Sequence, residues 1–259
     1  MLETTIKTRM QAGEAVVGVL ATQADAALAE TVALLGFDFF MLDAEHGPTG
    51  PRDAEAVVLA CERRGITSLA RVGTKDEKTL LQYLDAGLGG VMMPGMVSRD
   101  QVRQLVDAVK YPPLGARGLG PVRAADFMLG GRSQADYVAF ANAQTLVLPQ
   151  IEDAACLDCL DEMLAVEGVD GFVVGPRDLA MSMGFTDGPG HPEVQDAIER
   201  IYDAVLESGK VLGTVAGSGD QARQLVERGV RFVLTSLTAL LKPSSKAFLS
   251  GMRAEAASA

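Results

Sequence analysis

Eight short apolar runs alternate with eight amphipathic helical patterns along 259 residues, and no linker or low-complexity segment interrupts the series. A glycine closes six of the helical patterns just before the next run (Gly36, Gly65, Gly87, Gly168, Gly209 and Gly229), the place where a helix ends in a left-handed residue. Together these features predict an α/β chain forming one closed (β/α)8 barrel, a single domain over residues 1–259. A doubly wound open sheet is the alternative. It would usually carry a Gly-rich phosphate turn after its first strand, whereas here "ATQADAALAE" follows it.

The first run, 15–20 "AVVGVL", precedes a helical pattern at 24–35. The second, 37–43 "FDFFMLD", lacks alternation and reads as a parallel strand buried on both faces, followed by a helix at 51–64. The third and fourth are 66–71 "ITSLAR" and 88–94 "LGGVMMP", with helices at 76–86 and 98–109. The connection 110–144 is too long for an ordinary loop, carries Arg117, Arg123 and Arg132, and is expected to end in a short helix. The fifth run is 145–152 "TLVLPQIE" with a helix at 153–165, and the sixth is 169–175 "VDGFVVG" with a helix at 191–208. The seventh, 211–215 "VLGTV", and eighth, 230–236 "VRFVLTS", lead into helices at 219–228 and 238–249, and the tail "RAEAASA" is expected to fray.

Composition narrows the function classes. A net charge of -11 repels phosphate backbones, so no nucleic-acid partner is expected. No apolar run reaches the ~18 residues of a membrane span, and the N-terminal segment lacks an apolar signal core, so the cytoplasm is the expected compartment. Three cysteines argue against a disulfide framework. "CLDC" has redox spacing, but Cys156 and Cys159 recur with Leu160, Met163 and Leu164 at helical spacing, which favours packing.

In a barrel enzyme the site lies at the C-terminal strand ends. Asp43, Glu45 and His46 follow the second strand; Arg71 ends the third and Pro94 the fourth. Gln150 and Glu152 end the fifth, Gly175, Pro176, Arg177 and Asp178 follow the sixth, Ala216, Gly217 and Ser218 follow the seventh, and Ser236 ends the eighth. The opposite ends begin mostly with glycine, valine or isoleucine. Glu152 and Asp178 suit a hard divalent ion such as magnesium or manganese. Arg71 offers a planar fork to a carboxylate or enolate oxygen, and His46 can act as a base near neutral pH. Metal, arginine and base together match proton abstraction beside a carbonyl. Taken singly, each acid reads better as a cap or an ion pair; the whole set on one rim does not. No lysine lies inside an apolar strand where burial would activate it for a Schiff base. His191, in "GHPEV", reads as the start of a helix with proline in its first turn.

The stretches "FDFFMLDAEHGP", "ITSLARV", "LLQYLDAGLGGVMMPGM", "KYPPLGARGLG", "LPQIED" and "VEGVDGFVVGPRDLAMSMG" resemble the HpcH/HpaI aldolase family from about residue 13 to about residue 250. The resemblance implies a class II aldolase that adds the enolate of pyruvate or hydroxypyruvate to an aldehyde, giving a 4-hydroxy-2-oxo acid. It implies a divalent metal ion (magnesium, manganese or cobalt) and no organic cofactor. His46 is then the base, acting through a water on the metal, and Asp85 raises its basicity, with Asp43 beside it. Arg71 stabilises the enolate, Glu152 and Asp178 hold the metal, and Gln150 contacts the substrate or a water. The backbone around Gly175, Pro176, Arg177 and Asp178 cradles the substrate carboxylate. The resemblance also implies a homo-oligomer, a hexamer built as a trimer of dimers, with the last helix exchanged between subunits.

Two features depart from the family. A tryptophan common after the first strand is absent here ("GVLATQ"), and Arg177 stands where a small residue is usual, its side chain expected to turn outward into an ion pair. Segments 118–127 and 213–219 vary between family branches and are expected to border the aldehyde. The same enolate chemistry in another 2-oxo acid lyase or decarboxylase, or a non-catalytic metabolite-binding barrel, are the alternatives.

Overall fold

A computed structural model of the chain describes residues 5–256. All eight expected strands form: β1 (Val16–Ala21), β2 (Phe39–Asp43), β3 (Thr67–Arg71), β4 (Gly90–Met93), β5 (Leu146–Ile151), β6 (Gly171–Val174), β7 (Val211–Val215) and β8 (Phe232–Ser236). They pair in chain order, all parallel, and β8 returns to β1, so the sheet is a closed barrel and not an open doubly wound one. The helices are α1 (Thr5–Gln11), α2 (Ala26–Leu34), α3 (Pro51–Arg64), α4 (Glu77–Asp85), α5 (Arg99–Val109), α6 (Gln134–Gln144), α7 (Leu160–Leu164), α8 (Pro176–Ser182), α9 (Pro192–Glu207), α10 (Gly219–Arg228) and α11 (Leu237–Ala256).

The strands are buried on both faces because one face fills the barrel and the other meets the helices. Inside, Phe39 and Phe232 stack with ring centroids 4.5 Å apart. Gly18 makes room for them, since a Cβ there would lie 2.2 Å from the Phe39 ring. Ile6 and Met10 of α1 close the N-terminal end of this core. α1 was not expected from the sequence; its two apolar residues make one helical step, too little periodicity for a signal. It is fastened by Lys7 to Asp170 at 2.8 Å and by Arg9 to Asp38.

Helix ends follow local chemistry. α3 starts with Pro51 in its first turn and the Asp53 carboxylate accepting from the Gly50 amide, and it stops at Gly65, φ 73°. α9 starts as its His-Pro-Glu context predicts: His191 Nδ1 accepts from the Glu193 amide at 3.3 Å, and its ring stacks on Phe185. The expected helix at 153–165 is instead a 3-10 turn (Ala154–Asp158) followed by α7, because Asp153 caps the Ala155 amide and Cys159 leaves helical geometry. The thiols of Cys61 and Cys156 are pushed by burial up to about 12 and about 11, so they pack rather than react. The tail is more ordered than expected: α11 continues through Ala256, and residues 257–259 lie outside the described residues.

The sequence reading of the lysines needs one correction. Lys110 is 2% exposed and donates to the carbonyls of Asn142 (2.9 Å) and Thr145, with Asp170 at 3.8 Å. Burial pushes its amine down from 10.5 to about 8, and Asp170 only partly opposes this. It lies at the N-terminal end of the barrel, since Thr145 and Asp170 precede β5 and β6, so this lysine is remote from the rim. Between pH 8 and 10.5 the unfolded chain holds a proton that the folded chain has lost, so this group makes stability rise with pH across that window. Denaturant unfolding at both ends of the window should therefore show the wild type gaining stability relative to Lys110→Met. Parallel behaviour of the two proteins would contradict the burial argument.

Candidate active site

The barrel's C-terminal rim begins with a tight turn after β2. Asp43 Oδ1 accepts from the amides of Glu45 and His46, both at 3.3 Å, and the Gly47 amide returns to the Asp43 carbonyl at 3.1 Å. Gly47 is required here because a Cβ would lie 2.3 Å from that carbonyl oxygen.

The register pairs Asp43 with Arg71 on the neighbouring strand. Arg71 donates from Nε to Asp43 Oδ1 at 3.0 Å and from Nη2 to Oδ2 at 2.7 Å, a bidentate fork. Burial opposes ionisation of Asp43, but the Arg71 hydrogen bonds outweigh it and hold the carboxyl below its usual range. Two nitrogens of the guanidinium are thus fixed to protein, and Nη1 has no protein partner among the described residues.

Across the rim, Glu152 follows β5 and is 9% exposed. Its Oε1 accepts from the Gly95 amide at 2.8 Å and its Oε2 from Gln150 Nε2. Gly175 keeps this corner open: a Cβ there would lie 2.6 Å from Gln150 Nε2 and 2.8 Å from Glu152 Oε2. Burial raises the Glu152 carboxyl to about 7, and the charges of Glu45 and Asp178 add to it against the Gly95 amide and Arg71. Asp178 is exposed in the first turn of α8. Pro176 has no N–H, so the free amides of that turn belong to Arg177 and Asp178.

These observations bear on a divalent ion. Asp43, Glu45, Glu152 and Asp178 outnumber Arg71, and the buried Gln150 Oε1 has no hydrogen-bond partner. No group of three metal-capable His, Cys, Asp or Glu side chains occurs among the described residues. Two acids with surplus negative charge and open positions suit a hard ion that keeps water or substrate oxygens as its other ligands. The donor set fits.

The structure gathers Asp43, His46, Arg71, Gln150, Glu152, Gly175, Pro176, Arg177 and Asp178 at the C-terminal strand ends, as the sequence predicts. Asp85 is the exception. It ends α4, and a helix following β3 runs back to the N-terminal end of the barrel, where β4 begins. There it pairs with Arg117 Nη2 at 2.9 Å, and Arg117 stacks over Tyr111. Among the described residues no hydrogen bond or ion pair joins Asp85 to His46, so it cannot orient the imidazole of its own chain. His46 is 64% exposed, with Glu45 Oε2 3.9 Å from Nε2. Arg177 is exposed and forms no ion pair among the described residues, contrary to expectation. Segment 118–127 packs on α3 and α4, through Arg123 to Glu62 and to the Ala86 carbonyl, and does not border the rim of its own chain. The Gly95 amide was missed; the Pro-Gly step after the fourth run was its only trace.

The family model described as HpcH/HpaI aldolase/citrate lyase matches residues 17–240. The chain is 35% identical over 243 residues to a 2-keto-3-deoxy-L-rhamnonate aldolase of Escherichia coli O157:H7, covering 93% of this chain and 90% of that protein. It is 34% identical over 235 residues to a hydroxypyruvate/pyruvate aldolase of Cupriavidus necator, covering 91% and 87%. Among solved structures, an HpcH/HpaI aldolase from Desulfitobacterium hafniense DCB-2 superposes with a TM-score of 0.88 at 30% identity, covering 96% of each chain.

Proposed function

Because this chain belongs to the HpcH/HpaI aldolase/citrate lyase family, we propose that its rim forms the enolate of a small 2-oxo acid and adds it reversibly to an aldehyde. It is an aldolase, a carbon–carbon lyase acting on pyruvate or hydroxypyruvate to give a 4-hydroxy-2-oxo acid. The observation that carries this reading is the Asp43–Arg71 fork facing the Glu152 corner, with one guanidinium nitrogen left for a substrate oxygen.

Glu152 and Asp178 would hold a divalent ion (magnesium, manganese or cobalt), which would supply Lewis acidity to the 2-oxo group. No organic cofactor is needed. The amides of Arg177 and Asp178 receive the substrate carboxylate, and the Gln150 amide braces Glu152 and meets substrate or water. His46 takes the proton from the substrate carbon beside the 2-oxo group. Arg71 Nη1 donates to the enolate oxygen as charge develops there, from a nitrogen already fixed in place. The enolate carbon then bonds to the aldehyde carbon, and the new alkoxide takes up a proton.

The enzyme works as a homohexamer, a trimer of dimers, in the cytoplasm. Phe248 and Met252 of α11 are 75% and 57% exposed, which supports exchange of this helix between subunits. Asp85, which lies too far from the His46 of its own chain, then serves the His46 of a neighbouring subunit.

Proton NMR of pyruvate in deuterium oxide tests the reading without knowledge of the aldehyde. With manganese the methyl signal should decay, and chelator should stop it. His46→Ala should lower exchange by about two to four orders of magnitude while keeping metal binding. Absence of exchange with every metal, for pyruvate and hydroxypyruvate alike, would refute the proposal.

A further inference from the structure

We propose that Glu45 is the positioning residue that holds the His46 imidazole and the Arg71 guanidinium in one arrangement. The proposal rests on the reading of the rim as an enolate-forming site.

Glu45 Oε2 lies between the two groups, 3.2 Å from Arg71 Nε and 3.9 Å from His46 Nε2. The atom is buried and accepts no hydrogen bond, because the Arg71 Nε–H beside it is aimed at Asp43 Oδ1. A buried carboxylate oxygen without a donor is a costly arrangement unless a donor arrives during function. The imidazole is the neighbouring group that acquires one: on taking a proton it presents an N–H and a positive charge to that oxygen. Within its own chain no other acid forms an ion pair with His46 among the described residues.

The charges around Glu45 favour this assignment. Arg71 of β3 is shared between the Asp43 fork and Glu45, and Glu152 beyond β5 is itself acidic, so a cation forming on the imidazole is favoured beside Glu45. The residue is also held in place. Its amide is bound by Asp43, the preceding Ala44 amide donates to the Arg71 carbonyl at 2.8 Å, and a Cβ on Gly73 would lie 2.9 Å from Glu45 Cα. A carboxylate already in position stabilises a developing cation without reorganisation.

The test measures pyruvate methyl exchange by the manganese-loaded enzyme as a function of pH and pyruvate concentration. Glu45→Gln should lower the exchange kcat about ten-fold, with pyruvate KM within about two-fold of wild type. The acid limb of the profile should move to lower pH by roughly half a unit to one unit, because a charge beside the base is gone. A limb at its wild-type position overturns the proposal, whether or not the rate falls. If Glu45→Gln fails to fold, Gly73→Ala displaces the carboxylate and keeps its charge; it should lower kcat, and a wild-type rate overturns the proposal.

A second measurement needs no turnover. The chain has two histidines, so carbon-13 histidine labelling gives two imidazole signals, and His191→Gln identifies one of them. The remaining signal, from His46, should move at lower pH in Glu45→Gln than in wild type. Identical curves overturn the role of Glu45 even if pyruvate proves not to exchange, and shifted curves uphold it even then. An absence of exchange in wild type therefore counts against the proposed function alone.

Discussion

Arg71→Lys should reduce pyruvate methyl exchange by about two to three orders of magnitude while the barrel stays folded. The charge survives this substitution and the geometry does not. In the wild type one guanidinium does two jobs: Nε and Nη2 are fixed to Asp43 at 3.0 and 2.7 Å, and Nη1 is left over. An ammonium is a single point, so it can pair with Asp43 or meet the substrate oxygen, but it cannot do both with fixed direction. Acid denaturation gives a second readout. The folded-state pKa of Asp43 lies below its usual range, so its contribution to stability is present above the unfolded carboxylate pKa and is lost as pH falls through the folded one. The lysine variant, with a weaker hold on Asp43, should lose less stability than wild type over that acid window. A variant retaining a tenth or more of wild-type exchange would show that charge alone suffices and that the fork is structural.

Gly175→Ala should weaken manganese binding, and with it exchange, by about two orders of magnitude, through one methyl group. The added carbon would lie 2.6 Å from Gln150 Nε2, 2.8 Å from Glu152 Oε2 and 3.0 Å from Glu152 Cβ, and both residues are buried. Overpacking of this kind costs about 1–3 kcal/mol of stability, so circular dichroism should still report a folded protein. Titration calorimetry with manganese is the direct check. Wild-type affinity in this variant would remove Glu152 as a ligand, because its carboxylate cannot keep its place beside the new methyl group.

The strands were legible because burial on both faces leaves an unbroken apolar run, as in "FDFFML", and because each run ends in a residue of different chemistry. Asp43, Arg71, Gln150 and Glu152 could be assigned to one rim from chain order alone, since parallel strands all point the same way. The bidentate fork could not, because it depends on the register that sets Asp43 opposite Arg71. Asp85 shows the converse. Its motif was recognisable by resemblance, but the direction in which α4 runs carries it away from the rim of its own chain. Lys110 escaped notice because its burial comes from the turns before β5 and β6, distant in sequence. The Glu45 charge was visible in "DAEHG", whereas its place between Arg71 and His46 required three dimensions.

The stacked Phe39 and Phe232 rings, with Ile6 and Met10 beneath them, stopper the barrel from below. Traffic therefore passes through a single doorway at the rim. Gln150 and Glu152 lie deeper in that doorway than exposed His46 and Arg177. On the proposed reading of this rim, the 2-oxo acid is expected to seat itself first, against the inner wall, with the aldehyde behind it, and in cleavage the aldehyde is expected to leave before pyruvate.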